Sequence, residues 1–553
     1  MIARKMIGVL AILSLAALLF GCGKSPAASV PAPATNALAS LPVPAADTIL
    51  RIHWLGKKSI SADTNATALM RVWNLPESMN LAAQTLDKLS SAPWRLLRSE
   101  TNQSAASLLR PLLDDLANEE SYVEVRRTAN STNAADEMVL AIHLDNQRAA
   151  LWQTNLAAVL ESLTGIRPTK SSSFGTNTAA GWSLKKHHAP NLIELARVGD
   201  WTLVSAAENH NILLDEVLAR LNQATAPFSV KTTNSWLEAS GDLSRIASAL
   251  GIAAKVHSNL PQVAFSVAGD PRYVLTRGEI ILPDNWSVKL EPWNMPTNLI
   301  DGNLASFTAV RGLKSGLELS TIWKNLQVGP PPDQLYVWAL HAFPMETYFA
   351  APLPEASNVV SHISDLVLEK GAPWFAIHNL AGFQRSTTFN GISWQGVPYV
   401  KPFLQSFETN GGNFAFGGCF QAETVFDSPP FALLNEVLNH TNLVYYDWEL
   451  SGPRVADLIY LGQLVRLISG KAQLAPDSAA LAWLRVLKTN LGVSGTEITQ
   501  SAPGRFSFTR NSTVGFSAIE LHLLADWLES PDFPRGLFSL SGQTNMPSAT
   551  PIP

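Results

Sequence analysis

The chain reads as an α+β protein of several subdomains, assembled from repeated strand–helix–antiparallel-strand units. Three observations predict this. At 553 residues it exceeds what one ordinary core can bury. Hydrophobic residues make up 46% and charged residues only 15%, below the roughly 25% charged of a typical domain, so the chain folds. Short alternating runs are interleaved with amphipathic ones in the order of a split β-α-β, or ferredoxin-like, arrangement.

Residues 49–55 alternate well enough for a first strand. Residues 66–73 and 78–89 carry apolar side chains at three- and four-residue spacing, and Pro76 and Pro93 punctuate them. Residues 105–117 are helical in period despite Pro111, and 121–127 set Tyr122, Val123 and Val125 against polar neighbours as a strand does. A strand at 138–144 breaks at Asp145-Asn146, ahead of an amphipathic helix at 148–163. Three short strands follow at 181–186, 192–198 and 201–206, the last two joined by the tight turn Gly199-Asp200. Residues 209–221 place Ile212, Leu213, Val217, Leu218 and Leu221 on one helix face.

A strand at 235–240 leads to a helix at 243–250, and strands are expected at 263–267, 273–282, 286–290 and 335–343. A helix near 356–368 precedes a hairpin of 403–407 with 413–420 around Asn410-Gly411-Gly412. The strand 442–450 stops at Ser451-Gly452-Pro453, before helices at 455–468 and 478–488. Strands at 496–501 and 505–509 and a helix at 518–528 close the body. Residues 139–145, 236–242 and 443–449 each read as apolar strand, polar break and helix, an echo of pattern that points to diverged duplication. The expected division is 1–21 signal peptide, 22–44 tether, 45–232 N-terminal α+β domain, 233–332 mainly β unit, 333–530 C-terminal α+β domain and 531–553 flexible tail.

The N-terminus carries the sharpest motif. Arg4 and Lys5 precede an uncharged apolar run from Met6 to Phe20, and Gly21 stands before Cys22, the order of a secretory signal peptide. The apolar run is shorter than the roughly 20 residues a spanning helix needs. Leu19, Gly21 and Cys22 resemble the bacterial lipobox, from which Phe20 departs by its size. The resemblance implies cleavage before Cys22, diacylglycerol on its thiol and acylation of the new amino terminus, and two or three chains anchor a protein stably. Gly23, rather than Asp, leans the location toward the outer membrane, with the body facing the periplasm. Residues 23–44 hold five prolines among Ala, Ser, Thr and Asn, a composition that stays extended. After that tether, Pro44-Ala45-Ala46-Asp47-Thr48 and the first strand resemble the start of an uncharacterised bacterial envelope lipoprotein family with a Pro-Ala-Asp-Thr segment and repeated strand–helix units. Ala46 is an extra residue against that pattern, and the resemblance implies no activity.

Few residues point to chemistry. Net charge is −5 with no basic block, which disfavours nucleic acid. Cys419 sits in an apolar strand-like setting and reads as an inert buried thiol. His187-His188 reads as a solvated turn, since adjacent strand residues face opposite ways. Ser183 to Lys186 has the bare Ser-x-x-Lys spacing but falls on a strand, and Ser469-Gly470-Lys471 lacks the glycines of a phosphate loop. Asp114-Asp115 and Glu119-Glu120 read as a solvated helix end. Sixteen tryptophans are spread evenly and read mostly as core, with Trp286 and Trp293 the most exposed of them. No catalytic, cofactor or metal residue stands out. The sequence points to a membrane-anchored envelope lipoprotein with a non-enzymatic structural or interaction role, touching envelope proteins or glycans. The rivals are a ligand-binding lipoprotein for a glycan, lipid or small solute, and an envelope-polymer hydrolase.

Overall fold

The computed structural model describes residues 47–97, 102–127, 136–175, 177–185, 192–208, 210–223, 226–227, 235–249, 260–283, 289–300, 302–341, 346–377, 382–394, 401–409, 412–420, 430–468, 477–530 and 533–534. Cys22, the tether, His187, His188, Trp286, Lys186 and residues 469–471 lie outside them.

The chain is mixed α+β. Its first half runs β1 (Thr48–Trp54), α1 (Lys57–Ala62), α2 (Thr67–Trp73), α3 (Pro76–Leu97), α4 (Gln103–Asn118), β2 (Ser121–Arg127), β3 (Asp136–His143), α5 (Asn146–Thr164), β4 (Thr169–Phe174), β5 (Asn177–Lys185), β6 (Leu192–Val198), β7 (Trp201–Ala207), α6 (Ile212–Asn222), β8 (Leu237–Asp242), α7 (Leu243–Ala249), β9 (Gln262–Gly269) and β10 (Val274–Ile281). Its second half runs β11 (Leu304–Arg311), α8 (Lys314–Leu319), α9 (Thr321–Leu326), β12 (Gln334–Leu340), β13 (Thr347–Pro352), α10 (Ala356–Ile377), β14 (Phe383–Arg385), β15 (Gly391–Trp394), β16 (Phe403–Thr409), β17 (Gly412–Gly418), α11 (Phe431–Asn439), β18 (Leu443–Leu450), α12 (Ser451–Ile468), α13 (Ala479–Leu487), β19 (Val493–Ala502), β20 (Arg505–Ser512) and α14 (Ala518–Glu529).

Among the described residues, 20 strands join one antiparallel sheet. Across it the order is 4-5-6-7-3-2-1-8-9-10, then 20-19-18-11-12-13-17-16-15-14. Adding ten to each strand number of the first series gives the second, reversed. Each half is the same ten-strand unit, and the two meet edge to edge at β10 and β20. The starts of β3, β6 and β7, at Asp136, Leu192 and Trp201, recur 211 residues later as Thr347, Phe403 and Gly412. The shared registers make Gly278 of β10 equivalent to Phe508 of β20, and these two are cross-strand partners, so a pseudo-two-fold axis passes through that pair. A Cβ on Gly278 would lie 2.3 Å from the Phe508 ring, so only glycine fits there.

The repeat differs from the one the sequence suggests. A split β-α-β unit leaves one strand between the two its helix joins. Here three strands stand between β3 and β4, which α5 connects, and three between β7 and β8, which α6 connects. The recurring unit is the whole half. Of the three echoing segments, 236–242 and 443–449 fall at equivalent places around β8 and β18, whereas 139–145 belongs to β3, whose counterpart is β13.

Successive side chains in a strand point to opposite faces, so the registers sort every strand residue onto one of two. One face, termed A, carries Ile52, Val123, Val125, Leu140 and Ile142, which form one buried cluster with α3, α4 and α5. The opposite face, B, packs Val139, Ala141 and Leu203 against α6 in the first half, and Phe307, Tyr336, Trp338 and Phe416 against α11 in the second. Helices α12, α13 and α14 of the second half join the face A cluster of the first. Trp483 of α13 donates its indole N–H to the Ser78 hydroxyl at 3.2 Å, and the Lys88 ammonium donates to the Leu528 carbonyl at 2.7 Å. Helix α3 runs through Pro93, and α12 starts at Ser451 itself, so neither proline position ends or delays a helix as expected.

Candidate functional site

Among the described residues, buried polar side chains include several clamps and a partly open cluster. Arg311 is the largest clamp. Its guanidinium donates to the carbonyls of Leu443, Glu291, His440 and Thr441 and stacks 4.5 Å over the Trp293 ring. Trp293 is therefore half-buried against Arg311 and Tyr336, not an exposed platform, because the guanidinium is attracted to the face of its ring. Asp115 is not part of a solvated helix end either. It is buried, takes two bonds from Arg148 and one from the Trp152 indole, and ties α4 to α5. Burial pushes its carboxyl upward, with Arg148 and Trp152 pulling it back. Glu120 is likewise engaged, accepting from His53 at 3.0 Å and from the Tyr122 hydroxyl at 3.0 Å, with the His53 and Tyr122 rings stacked at 4.2 Å. Burial pushes Glu120 upward, but these two partners outweigh it and leave it below its ordinary value. A carboxylate pair at a helix end looks solvated in sequence; here the helix end is what faces the next element.

The open cluster lies on face A of the second half, where β18 and β11 meet α12. Asp447 and Glu449 are two residues apart on β18 and so share that face. The Thr308 hydroxyl of β11 donates to Asp447 at 2.7 Å. Glu449 accepts from the Ser451 hydroxyl and from the Ala518 N–H, both at 2.7 Å, which seats the first turn of α14 on the sheet. Arg454 and Asp457 come from the first two turns of α12, and His341, at the end of β12, stands exposed beside them. Burial raises the carboxyls of Asp447, Glu449 and Asp457; Thr308, Ser451 and Arg454 respectively are the first groups to pull them back. Asp457 is half-buried and, among the described residues, has no hydrogen-bond or ion-pair partner.

The floor beside this cluster is apolar. Val310, Leu335, Val337 and Phe349 share face A with Thr308, as their registers require, and all are partly exposed. Helix α10 bounds one side, packing Val359 and Val360 on Leu404 and Ala415, and α12 bounds the other. The result is a shallow apolar strip with an acidic wall.

The other singled-out residues do not converge here. Cys419 is half-buried and burial pushes its thiol up, as an inert thiol requires. Ser183 lies within β5, paired with Thr169 and Glu194. The buried tryptophans are divided among separate cores: Trp94, Trp152, Trp182, Trp483 and Trp527 in one, Trp54, Trp73 and Trp236 in another, Trp338 in a third. Among the described residues, no group of three or more His, Cys, Asp or Glu is placed to hold a metal ion, and no helix is long and apolar enough to cross a membrane. The acidic wall was missed in the sequence because its members, from 308 to 457, are gathered only by the sheet. No family model, no characterised protein and no solved structure matches this chain.

Proposed function

We propose that the protein is a membrane-anchored bacterial envelope lipoprotein whose body has a structural or interaction role rather than an enzymatic one. Leu19, Gly21 and Cys22 support the anchor, and residues 23–44 the tether that holds the body off the outer membrane on its periplasmic side. The observation that carries the non-enzymatic part is the use made of buried polar groups. Arg311, Asp115 and Glu449 each spend their bonds on backbone or on a neighbouring element, which makes them fasteners. The two ten-strand halves, joined edge to edge, supply a long sheet whose less covered parts can hold partners. Metabolic labelling with an alkyne fatty acid tests the anchor: wild type should be labelled and sediment with membranes, and Cys22→Ser should lose both. Labelling that persists in Cys22→Ser would remove the lipoprotein reading.

A ligand-binding lipoprotein is the second reading, favoured by the partly open strip beside Asp447 and Asp457. An envelope-polymer hydrolase is the third, favoured by the raised carboxyls of the same wall.

A further inference from the structure

The two halves differ most in what lies on face A over their first three strands. In the first half, residues 55–120 connect β1 to β2 and include α3 and α4. Leu109, Leu112, Leu113 and Leu116 of α4 belong to the same buried cluster as Ile52, Val123, Val125 and Met138. In the second half, residues 312–333 connect β11 to β12 and hold only the short α8 and α9. Helix α9 leans on α10, where Trp323 and Leu326 pack with Val359 and Val360. The shared registers match Ile52, Val123, Val125 and Met138 to Val310, Leu335, Val337 and Phe349. The first four are at most 3% exposed, while their four counterparts stay partly exposed.

We propose that the strip over β11, β12 and β13 is a docking groove for an amphipathic helix of a partner polypeptide, with a Lys or Arg at its edge. The first half shows what such a surface accepts, since α4 lies on its equivalent with leucines at i, i+3, i+4 and i+7. The basic residue follows from Asp457: Arg454 and His341 act on it only through their charge, and among the described residues no donor reaches its carboxylate, whereas Asp447 and Glu449 behind it are already bonded to Thr308 and to Ser451 and Ala518. A buried or half-buried carboxylate gains most from a donor brought with the ligand. The inference deepens the interaction reading of the body and does not depend on the lipid anchor.

A photo-crosslinking residue at Val337 or Phe349 of the full chain, in its own cells, tests it, with Val125 as the covered control. The expected result is an adduct at Val337 and Phe349 but not Val125, mapping to a segment with apolar residues at i, i+3, i+4 and i+7. A synthetic peptide of that segment should bind the purified protein, and Val337→Asp and Asp457→Lys should each weaken binding about tenfold or more while unfolding stays cooperative. An adduct of lipid or glycan only, an adduct to a segment without that pattern, no adduct, or peptide binding indifferent to both substitutions would overturn the groove. Membrane sedimentation of the same variants is read separately, so loss of the groove and loss of the anchor stay distinguishable.

Discussion

The two ten-strand halves share their topology and part of their spacing, yet they are stabilised differently. The first half carries its own helices: α3, α4 and α5 seal face A, and α6 seals face B. The second half places two helices in the connection between β18 and β19, where α12 stays beside β11 and β18 and α13 packs on α3 of the first half. The strand order is the same in both halves and the helical cover is not. The lesson is that ladder geometry constrains a repeat more tightly than its insertions do. A strand must keep its register to stay paired, whereas a helix needs only an apolar surface to meet.

The largest expected effect lies on the axis that joins the halves. Gly278→Val drives a side chain into the Phe508 ring and toward the Ala264 carbonyl, 2.4 Å away, and should cost about 3 kcal/mol by chemical denaturation. A single shifted transition would show that the halves unfold together. Two transitions would break the picture of one cooperative sheet. Next come the equivalent valines. Val125→Ala removes buried packing and should cost about 2 kcal/mol, against less than about 1 kcal/mol for Val337→Ala in the open strip. Equal losses would mean the strip is covered.

The helices on face B sharpen the comparison on a smaller scale. Asn211 caps α6, accepting from the Leu214 N–H at 2.9 Å and donating to the Met138 carbonyl at 3.2 Å. Its counterpart at the start of α11 is Pro430, which offers no side-chain cap. Asn211→Ala should cost about 1–2 kcal/mol, and Pro430→Ser should gain about half a kcal/mol in thermal unfolding.

The pH response is the subtlest contrast. Glu120 of the first half lies below its ordinary value, so its contribution is present above the unfolded pKa and fades as pH falls through the folded one. Asp447 of the second half lies above its ordinary value. Its contribution is complete below the unfolded pKa, near 3.8, and is lost as pH rises through the raised folded value. Asp447→Asn should therefore gain on wild type as pH moves from 4 toward neutral when unfolding is followed across that range. A difference from wild type that does not change with pH would show that Asp447 carries no such linkage.

Local chemistry made much of this chain legible. The turn at Gly199-Asp200 predicts the hairpin of β6 and β7, and 410–412 that of β16 and β17, because two-residue connections and glycines fix which runs pair. Apolar spacing places α4, α6 and α14 to within a few residues. The N-terminal motif, from Arg4 to Cys22, is a property of sequence alone.

Strand order was decided only by the tertiary structure. Equivalent strands more than 200 residues apart share alternation rather than letters, and alternation is common to every half-covered strand, so the true repeat of 236–242 with 443–449 and the false echo at 139–145 look alike. The same holds for the polar groups. Whether Asp115 is solvated or clamped depends on Arg148 and Trp152 arriving from α5, and whether Asp457 matters depends on which strands α12 crosses. Periodicity is set by a residue's near neighbours along the chain, but burial and charge are set by neighbours the chain brings from far away.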